Sequence, residues 1–168
     1  MYLTSLLAAN DYVGMSFWLA TAIMLASTVF FFVERGDVAG KWRTSMTVAG
    51  LVTGIAFWHY LYMREAHLAG EVTTVFRYID WLITVPLQIV EFYLILAAVT
   101  IVPFLLFWKL LGASLLMLVF GFVGETGLFN TNLAFFFGVA AWGYIIYEVF
   151  LGEASKLNKA SANAGGQF

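Results

Sequence analysis

Five polar side chains stand in an otherwise apolar stretch of this 168-residue chain: Arg77, Asp80, Thr84, Gln88 and Glu91, within "RYIDWLITVPLQIVEFYL". On a helix turning about 100° per residue, their spacing gathers all five within an arc of roughly 80°. A rise of about 1.5 Å per residue puts Asp80 and Glu91 roughly 16 Å apart along one face. Two carboxyls in line through an apolar slab suit stepwise proton transfer. Arg77 lies one turn from Asp80 and favours its carboxylate form. Glu91 is flanked by Ile89, Val90, Phe92 and Tyr93, and desolvation holds it protonated. An ionised acceptor and a neutral donor then share one line, which a relay requires. The alternative is that both carboxyls only hydrogen-bond neighbouring helices. Five aligned polar groups argue against it, because an ionisable group at mid-bilayer costs about 2.5–3.5 kcal/mol on insertion scales.

The elements that must hold this stripe are membrane spans. The chain is 62% hydrophobic and 11% charged, with a mean hydropathy of +0.90; a soluble domain is only about half apolar. Five segments, at about 13–33, 44–63, 74–99, 107–123 and 133–150, approach the roughly 20 residues a spanning helix needs. The expected fold is all-α, a polytopic transmembrane helical bundle in a single domain. The remainder, 151–168, is small, polar and Gly-rich, and reads as a cytoplasmic loop or tail. Arg35, Lys41, Arg43, Lys109, Lys156 and Lys159 fall on one side, whereas Arg64 on the other is set among Glu65 and Glu71. The positive-inside rule then places the N-terminus outside. The start "MYLTSLLAANDYVG" has no basic n-region and is a poor signal peptide, so one was removed or none is needed. The absence of cysteine excludes a disulfide framework and a thiolate metal site. A net charge of -2 argues against nucleic acid as a partner. No metal site and no enzymatic constellation is read.

Other residues carry two readings each. His59, near the outer end of the second span, either pairs with Asp80 or caps a helix end. Glu125 reads as a solvated loop acid at the outer end of the fourth span. Glu34 and Glu148 lie near inner ends and can reach the interface. Trp18, Trp42, Trp58, Trp108 and Trp142 read as an interfacial belt or packing. Trp81 is deeper, and a flat wall for a conjugated ligand accounts for it better. Gly112, Gly121, Gly124, Gly138 and Gly143 read as close helix packing.

These residues carry a resemblance. "FRYIDWLITVPLQIVEFYLIL" resembles the third helix of microbial rhodopsins, of the proteorhodopsin group in particular. "FWLATAIMLASTVFFFVER", "GLVTGIAFWHYLYMR" and "LLMLVFGFVGETG" are similar to its first, second and fourth helices. The resemblance implies that Asp80 is the Schiff-base counterion and first proton acceptor, with Arg77 modulating it toward the outer exit. It implies that Glu91 is the cytoplasmic proton donor, typical of pumps rather than sensory members. His59 matches the histidine that partners the counterion. Gln88 matches the colour-setting position, where glutamine goes with blue-absorbing members and leucine with green. Tyr78, Trp81, Thr84, Met117, Gly121, Phe135, Gly138 and Trp142 match positions lining the pocket of all-trans retinal, as does Gln88.

The resemblance therefore implies a multi-pass inner-membrane protein, with the lipid bilayer and retinal as partners, working as a light-driven outward proton pump. Rings of protomers are implied too, a homo-oligomer in which the Trp18 and His59 region meets a neighbour. A photosensory rhodopsin signalling to a transducer, or an unrelated proton-coupled transporter, are the alternatives. The family has seven helices and binds retinal through a lysine on the last. Here Lys41, Lys109, Lys156 and Lys159 all lie at helix ends or in loops. The expectation is that the chain covers the first five helices of a longer protein.

Overall fold

The computed structural model describes residues 10–163; the start and the last five residues, on which the signal-peptide reading and part of the tail reading fall, lie outside it. Six helices follow one another: α1 (Tyr12–Glu34), α2 (Arg43–Leu68), α3 (Thr74–Ala97), α4 (Phe104–Glu125), α5 (Thr131–Phe150) and α6 (Glu153–Asn163). The first five are long and apolar enough to cross a membrane, and with their short connections they make a multi-pass membrane protein. Each packs on the next in sequence, and α6 rests on α5 and α3. The start of α3 and the end of α5 fall on the expected bounds and the other ends lie one to five residues from them, as helix ends defined by caps rather than by hydropathy do.

Local chemistry sets those ends. Asp11 caps α1, its Oδ1 accepting the Gly14 N–H at 2.8 Å. That bond, reinforced by His67 and opposed by slight burial, keeps the Asp11 carboxyl below the usual carboxylate range. Asn130 caps α5 by accepting from the N–H groups of Asn132 and Leu133, each at 3.1 Å. Gly70 and Gly127, with φ of 71° and 72°, turn the chain just past α2 and α4, where a side chain would strain the left-handed backbone. Pro86 lies inside α3 without ending it.

Small residues bring the helices together. Thr28 donates to Thr53 Oγ1 at 2.9 Å, tying α1 to α2. At the α4–α5 contact a Cβ on Gly124 would fall 2.7 Å from the Ala134 Cβ. Gly112 and Gly143 have nothing within 4 Å of such a Cβ, so the packing reading fails for those two. The Gly124→Val substitution is expected to destabilise the protein in detergent by about 1–3 kcal/mol, the usual cost of overpacking. Thermal unfolding followed by circular dichroism measures it.

Two expectations are corrected. The tail is not a loop: residues 153–163 form α6. Its N-terminus is held by Glu148, whose Oε2 accepts the Glu153 N–H at 2.9 Å. Its C-terminal turn is held by Ser161, which donates to Val99 O at 3.0 Å. Glu148 itself is 7% exposed, so it is shielded from solvent rather than open to it. Its second oxygen accepts from the Tyr144 hydroxyl at 3.0 Å.

Candidate functional site

The stripe on α3 faces inward at its centre. Asp80 and Thr84 are each 5% exposed, and Tyr78 between Arg77 and Ile79 is also buried. They line a cavity of about 780 Å³ bounded by α1 to α5. All nine residues expected around a ligand line it: Tyr78, Trp81, Thr84 and Gln88 from α3, Met117 and Gly121 from α4, and Phe135, Gly138 and Trp142 from α5. They come from three helices and meet because α3, α4 and α5 pack in sequence. Gly121 makes room for the Tyr78 hydroxyl, which would stand 2.7 Å from a Cβ there. The Tyr78 ring is wedged edge-on between Trp81 and Phe122.

Asp80 is the one carboxyl buried in this wall. His59 Nδ1 approaches its Oδ1 to 3.3 Å, so the pairing reading of His59 is met in distance, and the helix-end reading is not: His59 is 4% exposed. The same nitrogen is 3.0 Å from Ile55 O. One ring N–H cannot be directed at both acceptors. The bond to Ile55 has the better geometry, because Asp80 Oδ1 is left with no directed hydrogen bond. Thr84 does not supply one, since its hydroxyl donates to Asp80 O at 2.9 Å. A buried acceptor left unpaired costs about 1–3 kcal/mol, more when charged. Asp80 therefore presents an unspent acceptor to the cavity.

Arg77 does not pair with Asp80. Its Nη2 makes an ion pair with Glu125 and donates to Thr74 Oγ1 at 3.3 Å; Thr74 in turn donates to Glu125 Oε1 at 2.9 Å. The reason is directional. Side chains on a helix lean toward its N-terminus, so an arginine one turn before Asp80 reaches away from it, toward the start of α3. There it meets the end of the antiparallel α4. Glu125 is thus a partner of Arg77 rather than a loop acid in solvent, which sequence spacing of 48 residues could not reveal. Arg77 Nε remains buried without a partner.

Glu91 lies on the C-terminal half of α3, half-buried and without an ion pair among the described residues. No group of three metal-ligating side chains occurs among the described residues. Trp58 and Trp18 are exposed, and Arg64 stacks over the Trp18 ring at 4.3 Å. His59 is buried behind them, so the aromatic pair and not the histidine forms the outer face of that region.

Residues 11–166 match the family of bacteriorhodopsin-like proteins. The chain belongs to the bacteriorhodopsin-like family. Among members, a green-light absorbing proteorhodopsin from Gamma-proteobacterium EBAC31A08 is 62% identical over 157 residues, covering 92% of this chain and 63% of the relative. A blue-light absorbing proteorhodopsin from Gamma-proteobacterium Hot 75m4 is 64% identical over 145 residues, covering 86% and 58%. The crystal structure of a blue light-absorbing proteorhodopsin from Med12 superposes with a TM-score of 0.75 at 68% identity, covering 84% of this chain and 68% of that one. The rhodopsin chain described here spans less than two thirds of the length of the two proteorhodopsin sequences. Its five spans follow the microbial rhodopsin fold.

Proposed function

We propose that this chain forms the first five helices of a seven-helix, retinal-binding, light-driven outward proton pump, seated in a cell inner membrane with its N-terminus outside. The observation that carries the reading is Asp80: a buried acceptor without a directed donor, on the wall of an apolar cavity, in helical line with Glu91. The cavity volume lies within the roughly 300–1,000 Å³ of small-molecule sites. Trp81 and Trp142 offer flat walls, and Gly121 and Gly138 keep the floor between them thin. These features fit all-trans retinal. Bound, it would supply the light-driven change in geometry and basicity that sets a proton moving.

The chain's own residues do the rest. Asp80 takes up a proton at its carboxylate. His59, 3.3 Å away, adjusts how readily it does so. Arg77, anchored outward by Glu125 and Thr74, keeps a positive charge between Asp80 and the outer surface and biases release to that side. Glu91 supplies a proton from the inner side. Lys41, Lys109, Lys156 and Lys159 are absent from the cavity lining, so the lysine that attaches the chromophore belongs to a further helix. A ring of protomers is part of the reading, with exposed Trp18 and Trp58 on a candidate contact face.

The colour follows from Gln88. Overall identity does not decide it, because the green-absorbing and blue-absorbing relatives are similarly distant. An amide dipole on the cavity wall acts electrostatically on the chromophore, as leucine cannot. The Gln88→Leu variant of the complete protein is expected to move its absorption from blue toward green. An unchanged band removes Gln88 from the tuning role.

The test of the function is light-driven acidification. Cells making the complete protein with added retinal should acidify their medium on illumination, and a protonophore should abolish the effect. A visible band without acidification would favour a photosensory rhodopsin. Acidification that needs no retinal would favour a transporter of another kind.

A further inference from the structure

Helices α1 and α2 are fastened at two levels. Within the apolar slab Thr28 donates to Thr53, a bond that does not titrate. At the start of α1 stands a pair that does. His67, in the last turn of α2, brings Nε2 to 3.4 Å from Asp11 Oδ1. The two side chains are 33% and 28% exposed, so protons from solvent reach them. The His67 ring lies against Phe17 of α1, with centroids 5.7 Å apart, and Phe17 in turn meets Tyr60 at 6.3 Å. Tyr60 follows His59 and lines the main cavity. Seven residues apart on one face of α2, Tyr60 and His67 hold Phe17 between them. The other charges nearby are engaged or exposed. Arg64, one turn back on α2, lies over the Trp18 ring and pairs with Glu65 at 3.2 Å. Glu71, past the end of α2, and Tyr12, beside Asp11, are exposed. Arg77, in the first turn of α3, is held by Glu125. Asp11 is thus the charged partner of His67 among the described residues. The Gly14 N–H first, and His67 with it, keep the Asp11 carboxyl below the usual range, so it remains a carboxylate wherever histidine titrates.

We infer that Asp11 and His67 form a pH-operated tie between α1 and α2, closed while His67 carries a proton, which firms the Phe17–Tyr60 wall of the cavity. Histidine is the side chain whose charge ordinarily changes between about pH 5 and 8. At the acid end of that range an imidazolium faces a carboxylate. At the alkaline end the attraction between charges is gone, and a neutral ring is left 3.4 Å from the carboxylate. The stabilisation from the tie is therefore present at low pH and lost as the pH rises. What the tie means for transport rests on the outward-pump reading. With the N-terminus outside, Asp11 and His67 face the compartment that receives the protons, and their accumulation closes the tie.

The experiment follows thermal bleaching of the visible band in the complete, retinal-loaded protein, at about pH 5.5 and about pH 8.5, either side of the ordinary histidine titration. His67→Phe keeps a ring against Phe17 and removes the proton. At the lower pH it is expected to bleach about 1–3 °C below the parent, the shift that a half-exposed ion pair supports. At the higher pH the two should bleach together. Asp11→Asn keeps a capping side chain on α1 and should show the same loss, and the double variant should lose no more than either alone. His67→Arg carries a fixed charge and should bleach above the parent at the higher pH, a response that packing alone would not give. An offset of His67→Phe from the parent that is absent, or equal at both pH values, overturns the tie, as do losses that add in the double variant. If His67→Phe yields no pigment, Asp11→Asn must show the loss at the lower pH alone, or the tie is overturned. The pump reading fails separately: a pigment with this bleaching pattern that does not acidify its medium in light keeps the tie and loses its link to transport.

Discussion

The Asp80→Asn variant of the complete protein is expected to bind retinal and to pump no protons. The argument is chemical rather than steric. Asparagine keeps the shape of the side chain and its place on the α3 wall, so the cavity of about 780 Å³ survives. What is lost is a group that can take up a proton: a carboxylate accepts one at Oδ, whereas an amide does not. A positioned acid or base contributes about 10²–10⁴-fold to a proton transfer, so the light-driven acidification rate should fall at least about 100-fold, into the background of dark cells. On the proposed reading, the same change also removes the carboxylate next to the chromophore. The absorption band should therefore move while the pigment remains. His59→Asn serves as the contrast, because it removes the neighbour 3.3 Å from Asp80 and leaves the acceptor. It is expected to shift the pH at which the pigment changes colour without ending transport. Acidification that persists in Asp80→Asn would take the acceptor role from this residue and with it the reading of the cavity.

The spans were legible in the sequence because hydropathy and length are local properties. Each apolar run of about 20 residues, the third excepted, had charges only near its ends, and the helices form where those runs lie. The stripe on α3 was legible because helical periodicity converts spacing into direction. The nine cavity-lining residues came from the family resemblance; no spacing rule joins Met117 to Trp142 or either to Gln88. Three features stayed hidden. The first is the direction of Arg77. Spacing put it one turn from Asp80, but the lean of helical side chains toward the N-terminus carries it the other way, to Glu125. The second is Glu148. Its position near an inner end suggested an interfacial acid, yet Tyr144, four residues earlier on the same face, and the N-terminus of α6 bury it. The third is α6 itself. A polar run of Ala, Ser, Lys and Asn with Leu157 as its one large apolar residue carries little hydropathy signal, and short helices are marginal alone. It is ordered by Glu148, Lys109 and Val99, which lie elsewhere in the sequence.

These hidden contacts share a physical origin. Each joins a polar group on one helix end to a group on another, at the two edges of the apolar slab. One edge holds Thr74, Arg77 and Glu125; the other holds Lys109, Tyr144, Glu148 and Glu153. Between the edges lie the two α3 carboxyls: Asp80, whose Oδ1 has His59 Nδ1 at 3.3 Å but no directed hydrogen bond, and Glu91, which makes no ion pair among the described residues. On the proposed reading, charge pins the ends of the bundle and leaves its two central acids free to exchange protons.

That freedom gives Glu91→Gln its expected effect. If Glu91 is the donor proposed above, the returning proton is already stored on it in the parent protein, roughly 16 Å along the helix from Asp80. Recovery of the ground state near neutral pH is then set by transfer within the protein and hardly varies with bulk pH. Glutamine fills the same space between Ile89 and Phe92 but stores no proton. Each returning proton must then arrive from the inner solution, and recovery becomes first order in its concentration. The expected result is a slower recovery at pH 7, slowing further by about tenfold for each pH unit raised, as mass action on a missing general acid requires. Time-resolved absorption after a flash, measured from pH 6 to pH 9, separates the cases. A recovery in Glu91→Gln that is unchanged at pH 7 and flat with pH would mean that protons reach the core by another path, and the line of carboxyls on α3 would not be the relay.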